Sequence, residues 1–158
     1  MHISNPRVIV IEDDDYKAKA LSDFLRSEWP SVYISIVKSL NSAINKLSSE
    51  KFDLALVDMS MPTYELASDR HGGGDPQGFA GEDILRFIDS ESPSTKTVVV
   101  TQLSEFSDGS ITRTLDEIAE SLRSEFGPSY LGLISYSGRH GGWRDTLQEM
   151  LKKAGLLT

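Results

Sequence analysis

Acidic side chains follow two apolar runs of the sequence, and a hydroxyl follows another. Glu12–Asp15 come directly after the first run, Asp58 after the third and Thr101 after the fourth. Clustered carboxylates raise one another's pKa. A hard divalent cation relieves that repulsion, and Mg²⁺ needs only one or two carboxylates besides waters and phosphate oxygens. A carboxylate beside such a cation can attack phosphorus. The pattern therefore indicates phosphoryl chemistry at Asp58, with the Thr101 hydroxyl as a hydrogen-bond donor to a phosphoryl oxygen.

The same residues also have a purely structural interpretation. Helix N-termini favour negative charge, so we expect Asp14 and Asp15 to cap the helix that follows them. For Glu12 and Asp13, capping and metal binding are both open. A lone Asp58 is an ordinary loop acid, and a threonine at a strand end is an ordinary β-former. The joint occurrence of these residues, each at the end of a strand, is what favours a site.

Five β-rich apolar runs alternate with five helical patterns along the chain. The predicted strands are Val8–Ile11, Val32–Val37, Phe52–Val57, Thr97–Val100 and Tyr130–Ile134. Strands that are apolar throughout are typical of a parallel sheet buried on both faces. Strict alternation predicts an α/β fold with an open, doubly wound sheet. Ligands of such sheets bind outside the carboxyl ends of the strands, where the acids lie.

Two further features concern the organisation of the chain. Residues Thr63–Gly81 contain five glycines and a proline, which predicts a long loop. The apolar spacing from Ile111 to Phe126 predicts a long fourth helix. We expect one domain over residues 1–158, because this length suits a single hydrophobic core.

Composition excludes several functional classes. The chain has no cysteine, so thiolate metal sites and cysteine nucleophiles are excluded. Its net charge is −8, and no basic face for nucleic acid is visible. No apolar run approaches the roughly 20 residues of a membrane span. Met1–Arg7 lacks the pattern of a signal peptide, so we expect a cytoplasmic protein with no direct nucleic-acid or membrane partner.

Four segments together resemble the receiver domains of two-component response regulators. They read VIVIEDD, DLALVDMSMP, FAGEDILRFI and VVVT, and they lie at Val8–Asp14, Asp53–Pro62, Phe79–Ile88 and Val98–Thr101. The resemblance covers nearly the whole chain. It implies a flavodoxin-like, doubly wound sheet of five parallel strands, in the order 2-1-3-4-5, with five helices.

The resemblance also implies a role for each candidate residue. Asp58 falls on the phosphoacceptor of the family. The metal site of the family falls on Glu12, Asp13 and Asp58, completed by the backbone carbonyl of Ser60, and it holds Mg²⁺. Thr101 falls on the hydroxyl that senses the phosphate.

The implied function is that of a phosphoacceptor signalling domain and not of an enzyme, beyond phosphoryl transfer to and from Asp58. A histidine kinase or a phosphotransfer protein is the implied donor. The output is expected to pass to a downstream protein partner or to a covalently linked domain. Homodimer formation is left open.

The chain departs from the family pattern in three places. The family has a lysine at the end of strand five, whereas residues 133–140 read LISYSGRH. Arg139 either replaces that lysine or is a solvated loop residue, and we favour the latter. Gln102 replaces a small residue, and the loop after Pro62 is unusually long. The family also has a switch aromatic residue near strand five, and in this sequence it falls on either Tyr130 or Tyr136. These departures favour a second hypothesis, a pseudo-receiver that binds a partner without using phosphate.

Enzymes on similar sheets fit the sequence less well. Toprim-type nucleases and haloacid-dehalogenase phosphatases need a second aspartate two residues after the first, where this chain has Ser60. A flavodoxin needs a hydroxyl-rich loop after strand one, where this chain has four acids. We assign no role to the loop histidines His71 and His140.

Overall fold

The structure is a computed structural model that describes residues 5–59, 61–62, 76–77, 80–102, 105–108, 111–137 and 141–158. In chain order its elements are β1 (Arg7–Ile11), α1 (Asp15–Glu28), β2 (Tyr33–Val37), α2 (Leu40–Ser49), β3 (Leu54–Val57), β4 (Met61–Pro62), β5 (Pro76–Gln77), α3 (Ala80–Glu91), β6 (Lys96–Thr101), β7 (Glu105–Asp108), β8 (Ile111–Thr114), α4 (Leu115–Glu125), β9 (Tyr130–Ser135) and α5 (Gly142–Lys153). None of the helices described is both long and apolar enough to cross a membrane.

Five of the strands form one sheet in the order β2-β1-β3-β6-β9. All four pairings in it are parallel. Counted within this sheet alone, the order is 2-1-3-4-5, so the predicted doubly wound, flavodoxin-like fold is confirmed. Strand order reverses between β1 and β3, and that reversal places the predicted site at the carboxyl ends of these two strands.

The three central strands, β1, β3 and β6, are buried on both faces of the sheet, which explains their continuous apolar runs. Val8 and Val10 of β1 pack with the buried sides of α1 and α5. Ile9 and Ile11 pack on the opposite face with α2 and α3. Helix α4 completes this second face through Ile118 and its neighbours. These four β1 side chains are fully buried, so the end of β1 is a rigid support for the acids that follow it.

Local signals in the sequence set the helix ends. Asp14 is the N-cap of α1, and its carboxylate accepts hydrogen bonds from the backbone of Tyr16 and Lys17, as the capping interpretation predicted for this residue. Ser39 caps α2 through the backbone N–H of Ser42. Helix α1 ends at Glu28, shortly before Pro30, which cannot continue a helix.

The prediction of a long fourth helix from Ile111 was wrong. Ile111 lies in β8, which pairs antiparallel with β7, and α4 begins only at Leu115. A capping box fixes that start, because the side chain of Thr114 accepts from the backbone N–H of Glu117 and the Glu117 side chain accepts from the backbone N–H of Thr114. The cap overrides the apolar spacing that extends the pattern back to Ile111.

The predicted loop at Thr63–Gly81 ends earlier than expected, since α3 already begins at Ala80. The segment also includes β5, whose two residues pair antiparallel with β4. Residues 63–75 and 78–79 lie outside the described part of the chain, and for them the loop prediction stays a prediction.

Candidate functional site

The ends of β1 and β3 bring three carboxylates together. Ile11 pairs with Val57 across the two strands, and the backbone N–H of Asp58 donates to the Ile11 carbonyl at 3.0 Å. The residues that follow each strand therefore emerge side by side. One carboxylate oxygen from each of Glu12, Asp13 and Asp58 lies within 4.8 Å of the other two. The sequence-based expectation that these acids meet agrees with this geometry.

Burial makes this cluster electrostatically unusual. Glu12 is only 2% exposed. Its burial and the nearby charge of Asp58 raise the pKa of Glu12 to about 7, against the opposing effect of Lys17. Burial also raises the pKa of Asp58, Lys17 counteracts the increase, and the charge of Asp13 adds to it. The surroundings of Glu12 and Asp58 thus disfavour the ionised forms of both carboxylates, although Lys17 opposes this effect.

A lysine that sequence reasoning missed lies at the centre of the site. Lys17 is 2% exposed, and its Nζ lies 2.6 Å from Glu12 Oε1 and 3.3 Å from Asp58 Oδ1. The same Nζ donates a hydrogen bond of 2.7 Å to the Val100 carbonyl. One ammonium group therefore contacts residues at the carboxyl ends of β1, β3 and β6.

The position of Lys17 follows from the start of α1. The Asp14 carboxylate accepts from the Lys17 backbone N–H at 3.1 Å, so the cap fixes the first turn beside the strand ends. Lys17 also lies on the buried stripe of the helix, four residues before Leu21 and eight before Leu25. A cation within an apolar stripe is the signal that could have identified it, because an unpaired lysine is rarely buried.

Thr101 lies at the end of β6, one residue after the carbonyl that binds Lys17. It is fully buried, and its Oγ1 has no hydrogen-bond partner among the described residues. A buried hydroxyl without a partner is costly. A phosphoryl oxygen is the kind of acceptor that would satisfy it. The next residue, Gln102, is exposed.

Of the two aromatics considered as the switch residue, only Tyr136 is near this site. Its backbone N–H donates to the Thr101 carbonyl at 2.7 Å. Its ring centre lies 5.7 Å from Lys17 Nζ and 5.3 Å from the ring of Trp143. Tyr130 opens β9 and contacts Phe126, at the opposite end of the sheet.

A close approach of α3 supports the backbone of the phosphoacceptor candidate. The Gly81 N–H donates to the Met59 carbonyl at 2.9 Å. A Cβ at Gly81 would lie 2.8 Å from the Asp58 carbonyl oxygen and 2.8 Å from Met59 Cα. Only glycine fits here without moving the backbone that holds Asp58.

Several sequence-predicted residues lie outside the described part of the chain. They are Ser60, whose carbonyl was expected to complete the metal site, the alternative cation Arg139, and the two histidines without an assigned role, His71 and His140. Their predictions stay predictions.

The residues present fit Mg²⁺. The three acidic side chains offer only oxygen ligands, which Mg²⁺ prefers, and this ion retains several waters. Burial and the charge of Asp58 raise the pKa of Glu12, and a divalent cation beside these carboxylates would favour their ionised forms. Asp13 is exposed, so the cluster is open to solvent on that side.

The comparisons with known proteins agree with the fold. No protein-family model matches the chain. The Detocs response regulatory protein DtcB of Enterobacter cloacae is 26% identical over 142 residues, which cover 89% of this chain and 95% of DtcB. An uncharacterised protein, y4jR of Sinorhizobium fredii, is 21% identical over 90% of this chain and 94% of its own length.

Solved structures of receiver domains superpose over almost the whole chain. The signal receiver domain of a LuxO repressor protein from Vibrio parahaemolyticus has a TM-score of 0.64 at 19% identity, with 96% of this chain and 94% of that one covered. Response regulator TrrA of Thermotoga maritima, in complex with Mg²⁺ and BeF, has a TM-score of 0.59 at 17% identity, with 92% and 99% covered. The resemblance to receiver domains is thereby confirmed.

Proposed function

We propose that this chain, a receiver-type domain of the response-regulator kind, accepts a phosphoryl group on Asp58 and thereby transmits a signal. The observation that carries the proposal is the placement of Asp58. It lies at the reversal point of the sheet, with Glu12 and Asp13 within 4.8 Å and the Lys17 ammonium 3.3 Å from its Oδ1.

In the proposed reaction an oxygen of the Asp58 carboxylate attacks phosphorus. With a phosphohistidine donor, the P–N bond breaks as the P–O bond forms. The electron pair leaves on the imidazole nitrogen, which takes up a proton from solvent, and an acyl phosphate remains on Asp58. The carboxylate needs to be ionised for this attack, and the neighbouring Lys17 favours the ionised form.

The metal proposed for this site is Mg²⁺, bound by Glu12, Asp13, Asp58 and the Ser60 carbonyl. When bound, it supplies positive charge that offsets the charge on the transferred phosphoryl group. Thr101 is the proposed partner for a phosphoryl oxygen, because its buried Oγ1 has no other hydrogen-bond partner in the described part.

The proposed donor is a histidine kinase or a phosphotransfer protein. Phosphorylation places new negative charge between β3 and β6, and a local charge change of this kind can shift the population of two conformations. Thr101 connects the site to β9 through its carbonyl, which accepts from Tyr136. We expect the output to reach a downstream protein or a linked domain through the neighbouring face.

The test is phosphorylation of the purified domain by acetyl phosphate with Mg²⁺, followed by intact mass spectrometry. We expect a single phosphate on the wild type and on the control Asp89→Asn, which changes an exposed acid of α3. We expect none on Asp58→Asn. If Asp58→Asn takes up phosphate as the wild type does, the assignment of Asp58 is wrong. If the folded wild type takes up none and does not respond to beryllium fluoride, the pseudo-receiver hypothesis replaces this one.

A further inference from the structure

We propose that Lys17, on helix α1, is the cation that binds the phosphoryl group on Asp58, the role that a lysine at the end of strand five has in the resembling family. The inference rests on the proposed phosphorylation of Asp58. Its carrying observation is a buried ammonium that contacts residues at the carboxyl ends of all three central strands.

The contacts of Lys17 leave it ready for a phosphoryl oxygen. A lysine ammonium has three N–H donors and no acceptor. Two of its contacts are short, at 2.6 Å to Glu12 Oε1 and 2.7 Å to the Val100 carbonyl. The third, to Asp58 Oδ1, is 3.3 Å. The first two hold the ammonium in place, and the longer one points to the carboxylate that would carry the phosphoryl group.

The sequence offers no lysine at the usual position. Between Tyr130 and Gly142, a span that contains all of β9 and the loop after it, there is no lysine. The Lys17 side chain reaches the carboxyl edge of the sheet from the other direction, from α1. Its bond to the Val100 carbonyl places the ammonium beside β6, one residue before Thr101.

Stability alone does not account for a lysine at this position. Removing two charges from water often costs more than their attraction returns, and apolar replacements of buried ion pairs are often neutral or stabilising. Lys17 and Glu12 are each 2% exposed, and Lys17 occupies a core stripe in which an aliphatic residue would pack. A role in phosphoryl binding gives the buried cation a function.

During transfer, negative charge is distributed over the phosphoryl oxygens, and a fixed cation stabilises that charge. In the proposed step the third N–H of Lys17 donates a hydrogen bond to one of these oxygens, and Lys17 keeps its three protons. The bonds made and broken are those of the Asp58 reaction given above, and Lys17 contributes only charge and orientation.

Lys17→Met is the decisive variant, because methionine replaces the unbranched, apolar part of the lysine side chain without the ammonium and suits a buried stripe. Lys19→Met is the matched control, since Lys19 is two residues away on α1 and its exposed ammonium pairs with Asp23. The measurements are the rate of acetyl phosphate labelling, the affinity for beryllium fluoride and the affinity for Mg²⁺ alone. Fluorescence of Trp143, which contacts Tyr136 beside Lys17, reports the last two.

We expect opposite changes in the two affinities. Loss of the ammonium should slow labelling by about 100-fold, the usual effect of removing one group that stabilises developing charge. It should weaken beryllium fluoride binding by at least roughly tenfold. Mg²⁺ should bind Lys17→Met at least as tightly as the wild type, because a competing cation has been removed from Glu12. A merely structural lysine would weaken all three together.

The possible outcomes separate the two proposals. If Lys17→Met is labelled as fast as Lys19→Met or faster, the role of Lys17 is refuted, and phosphorylation of Asp58 stands. Parallel loss of Mg²⁺ and beryllium fluoride binding also refutes it. A wild type that takes up no phosphate refutes both proposals. If Lys17→Met does not fold, Lys17→Gln gives the same test, since glutamine keeps a polar N–H donor on an unbranched side chain but carries no charge.

Discussion

Without a divalent cation, this domain should become less stable as the pH rises through the weakly acidic range. The cause is Glu12, whose pKa is raised from 4.5 to about 7 by burial and by Asp58. Between these two values the folded chain retains a proton that the unfolded chain has lost. Stability falls with pH wherever the folded state binds more protons. The effect begins above the unfolded pKa of Glu12 and is complete once the pH exceeds the folded pKa.

The size of the effect follows from the shift. At about 1.4 kcal/mol per pKa unit, the change from 4.5 to about 7 corresponds to roughly 3 kcal/mol of unfolding free energy. Asp58 acts in the same direction, since its pKa is also raised. The acids with lowered pKa, among them Glu50 and Glu117, are ionised in both states above about pH 5 and do not oppose it there.

Urea unfolding in EDTA, at several pH values between about 5 and 8, measures this slope. Glu12→Gln is the control, because it removes the titrating group while the three histidines of the chain remain. We expect the slope to be much smaller in this variant. Saturating Mg²⁺ should restore wild-type stability at neutral pH, because it binds the folded, ionised cluster. A wild-type profile that is flat in EDTA, or one that Glu12→Gln reproduces, would refute the electrostatic account of the site.

Two further predictions concern the supports of the site and of α4. Gly81→Ala should destabilise the domain by about 1–3 kcal/mol, because its Cβ would lie 2.8 Å from the backbone Cα of Met59. Gly142→Ala, with no atom within 4 Å of the new Cβ, should change little, and equal urea midpoints for the two variants would contradict the steric argument. Thr114→Ala should lower the free energy of unfolding by about 1 kcal/mol, because the cap of α4 is lost. Thr114→Ser should lower it much less, because serine retains the capping hydroxyl. A cost equal for both would show that the bond to Glu117 contributes nothing.

The sheet could be predicted because burial on both faces leaves a direct mark on composition. Every residue of Val8–Ile11 is fully buried, so this run is apolar throughout. A segment whose apolar residues have helical spacing separates it from the next strand. The error at Ile111 has the opposite origin. Its spacing to Leu115 and Ile118 fits a helix, but periodicity alone does not say where a helix begins. The Thr114–Glu117 capping box marks where α4 begins, and it agrees with the observed start at Leu115.

The carboxylates of the site could be predicted for a similar reason. Glu12, Asp58 and Thr101 each follow a strand directly or end one, so backbone topology alone places them at one edge of the sheet. The pKa shifts could not be predicted, because they depend on how deeply each carboxylate is buried. Glu12 is 2% exposed and Asp13 is exposed, although the two are adjacent in the chain.

Lys17 could not be placed by topology, since four methylene groups separate its charge from the helix backbone. Its position depends on the docking of α1, which Leu21 and Leu25 fix in the core, and on the cap at Asp14. The sequence lacks the lysine that the family has at the end of strand five. Phosphoryl chemistry, however, requires only that a cation lies close to the phosphoryl group, and any element of the fold can supply it. A buried ammonium 3.3 Å from Asp58 meets that requirement from a different element. The absence of a lysine at the end of strand five, which favoured a pseudo-receiver in the sequence, is therefore weaker support for that hypothesis once Lys17 lies beside Asp58.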